Sequence, residues 1–412
     1  MTSSTALTSG PFARFWRATA VSGLGSYVTL FSLQALVVLT LDGTAADVGW
    51  LNAARWLPYL VLGLVVGAVV DGRRRLPLLV STDVVQAALL LTVPLLWWLG
   101  VLSLPVLLVI VAALGSAAVV NGAAAMSFLP RLLGPKDLQP AHARLDGADA
   151  VASTAGPGLG GLLVGAVGAP LSVLLDSVTY LYSALTLRRL RVDEPPPRTG
   201  VTVRGLARDV VEGVRWIYRG SGLTSLAVAT HAWFVGSAVV GVVLAPYALR
   251  TLGLTPAEFG VVGAAGGIGA IVGAAITTRV GRRLGTGRTI IACHVLTTAG
   301  VVVLALAGDG LPALVTFGLL LAGQGLYGLA LGMSNSHEMS YRQLMTPDAL
   351  QARTNTTLRS LNRAAAMITA PVAGILADSW GLRPALVVAA VIFALVALGL
   401  AVTPFRNVRA PT

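Results

Sequence analysis

Charge is what this sequence lacks. Of its 412 residues only 11% are Asp, Glu, Lys or Arg, against 55% hydrophobic, whereas a soluble globular domain carries about a quarter charged residues. That balance, with a mean hydropathy of +0.81, excludes a water-soluble enzyme. It equally excludes a nucleic-acid-binding domain: the formal charge is +12, but no basic, aromatic-rich soluble segment exists to use it on a nucleic acid. Cysteine is nearly absent. Cys293 stands alone in an apolar run, so no intramolecular disulfide can form and the redox compartment is unread. The four histidines, at 142, 231, 294 and 337, are scattered, and no paired-acid or metal-ligand spacing occurs. Neither a metal nor any other cofactor is expected.

What is present is apolar runs of membrane-spanning length. They fall at about 14–41, 46–71, 76–100, 103–128, 142–168, 170–188, 221–250, 256–280, 287–307, 312–340, 350–379 and 383–403, each near the ~20 residues that cross a bilayer as a helix. The first, behind Arg14 and Arg17, is too long for a signal peptide and lacks a clear cleavage site, so it reads as span 1. The chain is therefore expected to be an all-α polytopic membrane protein with twelve transmembrane helices. Glycine, alanine and proline inside the runs suit membrane helices that pack at close range.

Basic residues orient the spans. With both termini placed in the cytoplasm, 26 of the 29 Lys and Arg fall on inner segments, and only Arg55, Arg250 and Arg383 lie at or near the outer side. Such a bias fixes topology. The apolar pattern fails between Leu190 and Arg219, dividing the chain into halves at 1–188 and 221–412 joined by a cytoplasmic linker at 189–220. Leu206, Val210, Val214 and Ile217 recur in the linker at helical spacing between arginines, which predicts a short interfacial helix over 203–218. The halves resemble each other at offsets of 206 to 214 residues: RLLGPKDLQ from 131 returns as RQLMTPDALQ from 342, and Pro157 with Gly160 as Pro371 with Gly374. Two pseudo-symmetric six-helix halves with a site between them near mid-bilayer is a transporter plan.

Three motifs identify the chain as resembling a known family. Gly67, Asp71 and Arg75, in GAVVDGRRR with Asp83 beyond, are similar to the loop between helices 2 and 3 of major facilitator transporters, although Gly72 and Arg74 depart from the usual pattern and Gln86 replaces a terminal arginine. Gly156, Pro157, Gly160 and Gly161 resemble the helix 5 motif of antiporters in that superfamily, and Asp176, Thr179 and Tyr180 resemble the sixth helix of its third drug:proton antiporter branch. That branch includes macrolide-efflux pumps and enterobactin-type siderophore exporters. The resemblance implies export of small amphipathic or hydrophobic molecules, drugs or antibiotics among them, by proton antiport through alternating access. The same resemblance leaves open a dedicated exporter of an endogenous product such as a siderophore or secondary metabolite. A membrane-embedded enzyme or sensor would need clustered acids or an added soluble domain, and neither is present. The fold's default is a monomer in the bacterial inner membrane, whose partners are a small-molecule substrate, protons and lipid.

The resemblance assigns roles. Gly67, Asp71 and Arg75 become a cytoplasmic gate, with Asp71 facing the N-terminus of span 11 near Asp348, while Arg73 and Arg74 serve topology. The glycines of span 5 become a flexing, sealing helix, or alternatively a tightly packed one. Ionisable side chains inside spans are costly and so are proton-coupling candidates. They are Asp176 and Asp149, with Asp146 and Asp83 equally readable as hydrogen-bonded caps near loops. Members of the branch commonly carry an acid in span 1 where this chain has Ser26 after Ser22-Gly23-Leu24-Gly25, so coupling through another carboxylate, or none, stays open. Tyr27, Gln34, Asn121, His231, Trp233, Phe234, Gln324 and Tyr327 fall on the spans that line the cavity in this fold. Arg55 either snorkels or binds an anionic group. Glu338 and Arg342 are spaced as an i,i+4 pair.

Overall fold

The structure is a computed structural model. It describes residues 10–408 apart from 64, 65, 67–69, 71, 193, 195–202, 220, 221 and 309. The described chain is helical throughout. Spans 1 to 6 correspond to α1 (Pro11–Ala35), α2 (Ala45–Leu62), α3 (Arg75–Trp98), α4 (Leu104–Leu132), α5 (Pro135–Val167) and α6 (Leu174–Arg188). The linker helix is α7 (Val203–Tyr218). Spans 7 to 12 are α8 (Thr224–Pro246), α9 (Pro256–Leu284), α10 (Thr286–Leu306), α11 (Ala313–Met345), α12 (Asp348–Trp380) and α13 (Leu382–Val402). Ten of the described segments are long and apolar enough to cross a membrane.

The chain forms two compact units. The N-terminal unit comprises residues 1–41 and 54–206, the C-terminal unit residues 42–53 and 207–412. Each opens with a helix that ends the same way. α1 runs into a π-turn at Leu36–Thr40 and α8 into one at Tyr247–Thr251, an offset within that of the sequence repeat. Wide turns of this kind are rare in helices. Their recurrence at equivalent places marks the two halves as copies of one plan.

Within the N-terminal unit, Phe12 and Phe15 of α1 pack with Leu79 of α3 and Phe128 and Leu129 of α4. The Phe15 and Phe128 rings meet edge to face at 5.7 Å. At the start of α3 the free backbone N–H groups of Arg75 and Leu76 donate to the carboxylate of Glu194, at 2.7 and 2.9 Å. An anion suits that position, because a helix N-terminus carries partial positive charge and unpaired donors.

In the C-terminal unit α9 and α11 meet backbone to backbone. A β-carbon on Gly328 would fall on the carbonyl of Gly266, one on Gly332 on that of Ala270, and one on Gly269 on that of Gly325. Only glycine permits such an approach, which gains dispersion contact along the whole crossing. Residues 42–53, the loop and first turns of α2, belong to this unit because Gly49 packs on Ala370 and Pro371 of α12 and Gly374 on Ala45 and Ala46. The Pro371 and Gly374 pair read from the repeat is thus the seat of α2. Its counterpart in α5 seats α1.

Candidate functional site

α1 is the hub of the polar groups in the N-terminal unit. Gly25 brings its backbone against α6 so closely that a β-carbon there would collide with Thr179 Oγ1 and Asp176 Oδ1. One residue on, the hydroxyls of Ser26 and Tyr180 share a hydrogen bond of 2.9 Å. On its other side Tyr27 lies over Gly156 and Phe31 over Gly160 of α5, the ring atoms of Phe31 only 3.0 Å from where a β-carbon would be. Gly156, Gly160 and Gly161 are all buried, and Pro157 is half-buried. The antiporter-like motif is therefore the packing face between α5 and α1.

Four acids were candidates on these helices, and the fold separates them. Asp176 is 2% exposed in the first turn of α6 and accepts a hydrogen bond from Thr179 Oγ1 at 3.0 Å. Asp83 is 3% exposed and held by Asn121 Nδ2 at 2.8 Å and Ser183 Oγ at 2.6 Å. Asp149 is exposed, and the Tyr27 hydroxyl reaches its oxygens at 3.2 and 3.3 Å. Asp146, also exposed, makes no side-chain hydrogen bond or ion pair among the described residues. Arg55 of α2 lies with its guanidinium 4.9 Å from the Trp56 ring centroid.

Of the gate motif, Gly67 and Asp71 lie outside the described residues. Arg75 is 4% exposed and turns a guanidinium nitrogen back to the carbonyl of Arg73 at 2.8 Å. Asp348 opens α12, as the gate reading requires of span 11. Glu194, the cap of α3, carried no signal in the sequence, being one of two adjacent acids in a polar linker.

A cavity of about 430 Å³ lies wholly inside the C-terminal unit. α8 contributes Thr230, Trp233, Phe234 and Ser237, and α10 contributes Cys293, His294 and Thr297. α11 adds Ser334, Asn335, Glu338 and Arg342, and α12 adds Asn355, Arg359 and Asn362. One wall is aromatic. Trp233 and Phe234 are T-shaped with centroids 5.2 Å apart, and Trp233 stacks on Tyr327 at 6.3 Å. The Tyr327 hydroxyl donates to Ser237 at 2.9 Å. Glu338 does not form the expected i,i+4 ion pair with Arg342. Its oxygens accept from Ser334, on its own helix, and from Thr230 Oγ1 at 3.4 Å, because the side chain turns inward toward α8.

The predicted cavity residues divide accordingly. Trp233 and Phe234 line the cavity and Tyr327 backs it. His231 is instead a strut: Nε2 meets the Tyr218 hydroxyl at 2.6 Å and Nδ1 meets Asn362 Oδ1 at 2.5 Å, tying α7 and α12 to α8. Asn121 is directed to Asp83 and to Thr82 Oγ1, both at 2.8 Å, and so serves a buried carboxylate. Gln34 and Gln324 are half-buried and make no side-chain hydrogen bond among the described residues. Sequence reasoning missed His294 on α10 and Asn355 and Arg359 on α12, whose places only the fold brings together.

Among proteins of known sequence, the chain is 29% identical over 227 residues to the multidrug efflux pump Tap of Mycolicibacterium fortuitum, a match covering 53% of this chain and 55% of the pump. An uncharacterized major-facilitator-type transporter of Sinorhizobium fredii is 26% identical over 338 residues, 79% of either chain. Among solved structures the nucleoside transporter NupG superposes with a TM-score of 0.75 at 11% identity, covering 95% of this chain and 98% of that one. A bacterial homologue of the iron transporter ferroportin superposes at 0.71 with 16% identity over 95% and 98%. These structural likenesses establish the fold. The profile of the transmembrane secretion effector family matches residues 1–411, and the chain belongs to that family, within the major facilitator superfamily of membrane transporters.

Proposed function

We propose that this protein is a secondary active transporter that exports small amphipathic or hydrophobic molecules across the bacterial cytoplasmic membrane in exchange for protons. It acts as a monomer with both termini inside, by alternating access of its two halves. The observation that carries the substrate class is the C-terminal cavity, with an aromatic wall and a polar floor in one enclosure. Such a lining takes a molecule that is apolar at one end and hydrogen-bonding at the other.

Asp176 is the carboxylate we assign to proton coupling. It is 2% exposed beside the hydroxyls of Thr179 and Thr29, with only the Thr179 bond, at 3.0 Å, well formed among the described residues, whereas Asp83 is secured by two side chains and Asp149 is open. A desolvated acid with few fixed donors can exchange its proton when neighbouring helices move, which is what coupling needs. The test is substrate-driven proton movement in proteoliposomes, with lipophilic cations, macrolides and phenicols offered to the native chain, Asp176→Asn and Asp149→Asn. Flux lost in Asp176→Asn and kept in Asp149→Asn supports the assignment, and the reverse moves the coupling to Asp149. Absence of flux with every compound from a folded protein overturns antiport of drugs. The arginines on the cavity floor favour, as a second reading, a dedicated exporter of one endogenous product.

A further inference from the structure

The charges around the C-terminal cavity do not balance. Glu338 is the one carboxylate among the lining residues, against two guanidiniums, Arg342 and Arg359. Its oxygens are already taken up by Ser334 and Thr230. Arg342 is half-buried and donates only to Met339 Sδ, at 3.6 Å, while Arg359 is exposed and has no hydrogen bond or ion pair among the described residues. Glu338 lies near enough to Arg342 to offset part of its charge and Arg359 near enough to oppose it, so the cavity floor keeps a net positive charge. Arg342 has a dipole reason to sit in the last turn of α11. Arg359 has none, since it lies well inside α12.

A second feature points into the same space. His294 is 3% exposed, and neither ring nitrogen has a hydrogen-bond partner among the described residues. Asn355 Oδ1 is buried in the same condition. Leaving a buried polar group unpaired costs about 1–3 kcal/mol, so two helices hold polar groups here that nothing among the described residues satisfies. The cavity, at about 430 Å³, falls within the ~300–1,000 Å³ of ordinary small-molecule sites.

We propose that this cavity binds an amphipathic molecule through an oxyanion, a carboxylate, sulfonate or phosphate group, held by Arg342 and Arg359 while its apolar ring lies against Trp233 and Phe234. Guanidinium presents a planar fork of donors that matches an oxyanion in two parallel hydrogen bonds. His294 and Asn355 supply the donor and acceptor for polar substituents between the two ends. The site rests on the transporter reading for its purpose but not for its existence. It selects against the lipophilic cations that drug-efflux pumps are commonly tested with, because a cation would meet two arginines against a single carboxylate.

Carboxyfluorescein and rhodamine 6G share a xanthene body and differ in the sign of their charge, so they probe this directly. Fluorescence anisotropy with the purified full chain in neutral detergent should show carboxyfluorescein binding at least about tenfold more tightly than rhodamine 6G, a difference of about 1.4 kcal/mol. Arg342→Gln and Arg359→Gln should each weaken carboxyfluorescein by about tenfold, as loss of a charge-assisted hydrogen bond does, and should not weaken rhodamine 6G, which loses a repelling charge. Arg359→Lys should recover part of the loss. Arg359 is exposed, so its variants keep the test open if Arg342→Gln does not fold. Phosphatidylglycerol that competes with the dye where phosphatidylcholine does not assigns the oxyanion to a lipid headgroup, and indifference to both assigns it to a solute; either supports the site. Equal or tighter binding of rhodamine 6G, or native-like carboxyfluorescein binding by folded glutamine variants, overturns it. Dye binding without any transport in vesicles would sink the exporter reading alone.

Discussion

The carboxylate of Asp378, near the end of α12, accepts the backbone N–H of Ala45 at 2.9 Å, and its second oxygen accepts that of Ala46 at the same distance. Asp378 thus caps α2 from another helix, more than 300 residues away in sequence. The first N–H groups of a helix have no partner within it, and a carboxylate there gains both hydrogen bonds and the helix dipole. Asp378→Ala should lower stability by about 1–2 kcal/mol, the upper part of the range for lost caps. Asp378→Asn, which keeps one acceptor oxygen, should lose less. Thermal unfolding in detergent decides it, and a melting temperature unmoved by Asp378→Ala would show that the cap is not needed.

Glycines of one helix face should differ sharply from glycines with room. Gly156→Ala would push a methyl group into Tyr27, and the surrounding helices must yield, at about 1–3 kcal/mol for overpacking. Gly122, on α4, has nothing within reach of a β-carbon. Gly122→Ala should be neutral or stabilising by up to about 1 kcal/mol, the difference in helix propensity. Equal melting temperatures for the two variants would contradict the packing described between α5 and α1.

Asn121 should behave as a partner of Asp83 and not as a substrate contact. Asn121→Ala removes a donor from a carboxylate that is 3% exposed, at about 1–3 kcal/mol. In Asp83→Asn the same substitution should cost much less, because no buried charge is left behind. The two variants and their combination form a double-mutant cycle. A coupling energy near zero would restore Asn121 to the cavity.

The Arg353 and Glu212 ion pair, 2.5 Å long, ties α7 to α12, yet both side chains are more than one-third exposed. Exposed pairs contribute about 0.2–1 kcal/mol, so Glu212→Ala should barely move the melting temperature. Gly213 is seated against the backbone of Arg353 and the side chain of Thr357, and Gly213→Ala should move it more. The order of the two effects, measured at one salt concentration, distinguishes docking by packing from docking by charge.

Membrane thickness explains which parts of this fold could be read from sequence. A run of apolar residues long enough to cross a bilayer has few alternatives to a helix, and the twelve runs and the linker helix over 203–218 all correspond to helices. Helix ends were less legible. α5 begins at Pro135 and α11 continues to Met345, beyond the apolar runs at 142–168 and 312–340, because polar helix projecting past the hydrocarbon leaves no hydropathy signal. The site was legible only where one residue type sufficed. Trp233 and Phe234 announced a ring-lined wall, and Asp83 and Asp176 stood out as acids in apolar runs. The cavity floor did not, since His294, Arg342 and Arg359 belong to three helices and each has an ordinary use taken singly. The hydrogen bonds of Glu338 were hidden for the same reason: helical spacing named Arg342, which acts on Glu338 only through its charge, and the hydroxyl of Thr230 comes from another helix.

Three arginines ran against the charge bias that orients the chain, and the folded protein employs each of them. Arg250 donates to the carbonyl of Gly43 at 3.0 Å, Arg383 to that of Ala305 at 2.7 Å, and Arg55 lies over Trp56. Two of these bonds close backbone carbonyls at the ends of helices or in the loop before one. In the proposed orientation these side chains are carried into or across the bilayer during insertion, at about 2.5–3.5 kcal/mol each at mid-membrane, before any of their partners has assembled. These three therefore oppose biogenesis and serve only the folded state. In that orientation the 26 basic residues of the inner segments, Lys136 among them, tell the insertion machinery which way to thread the chain, and these three, a burden at that stage, become useful only once the helices have met.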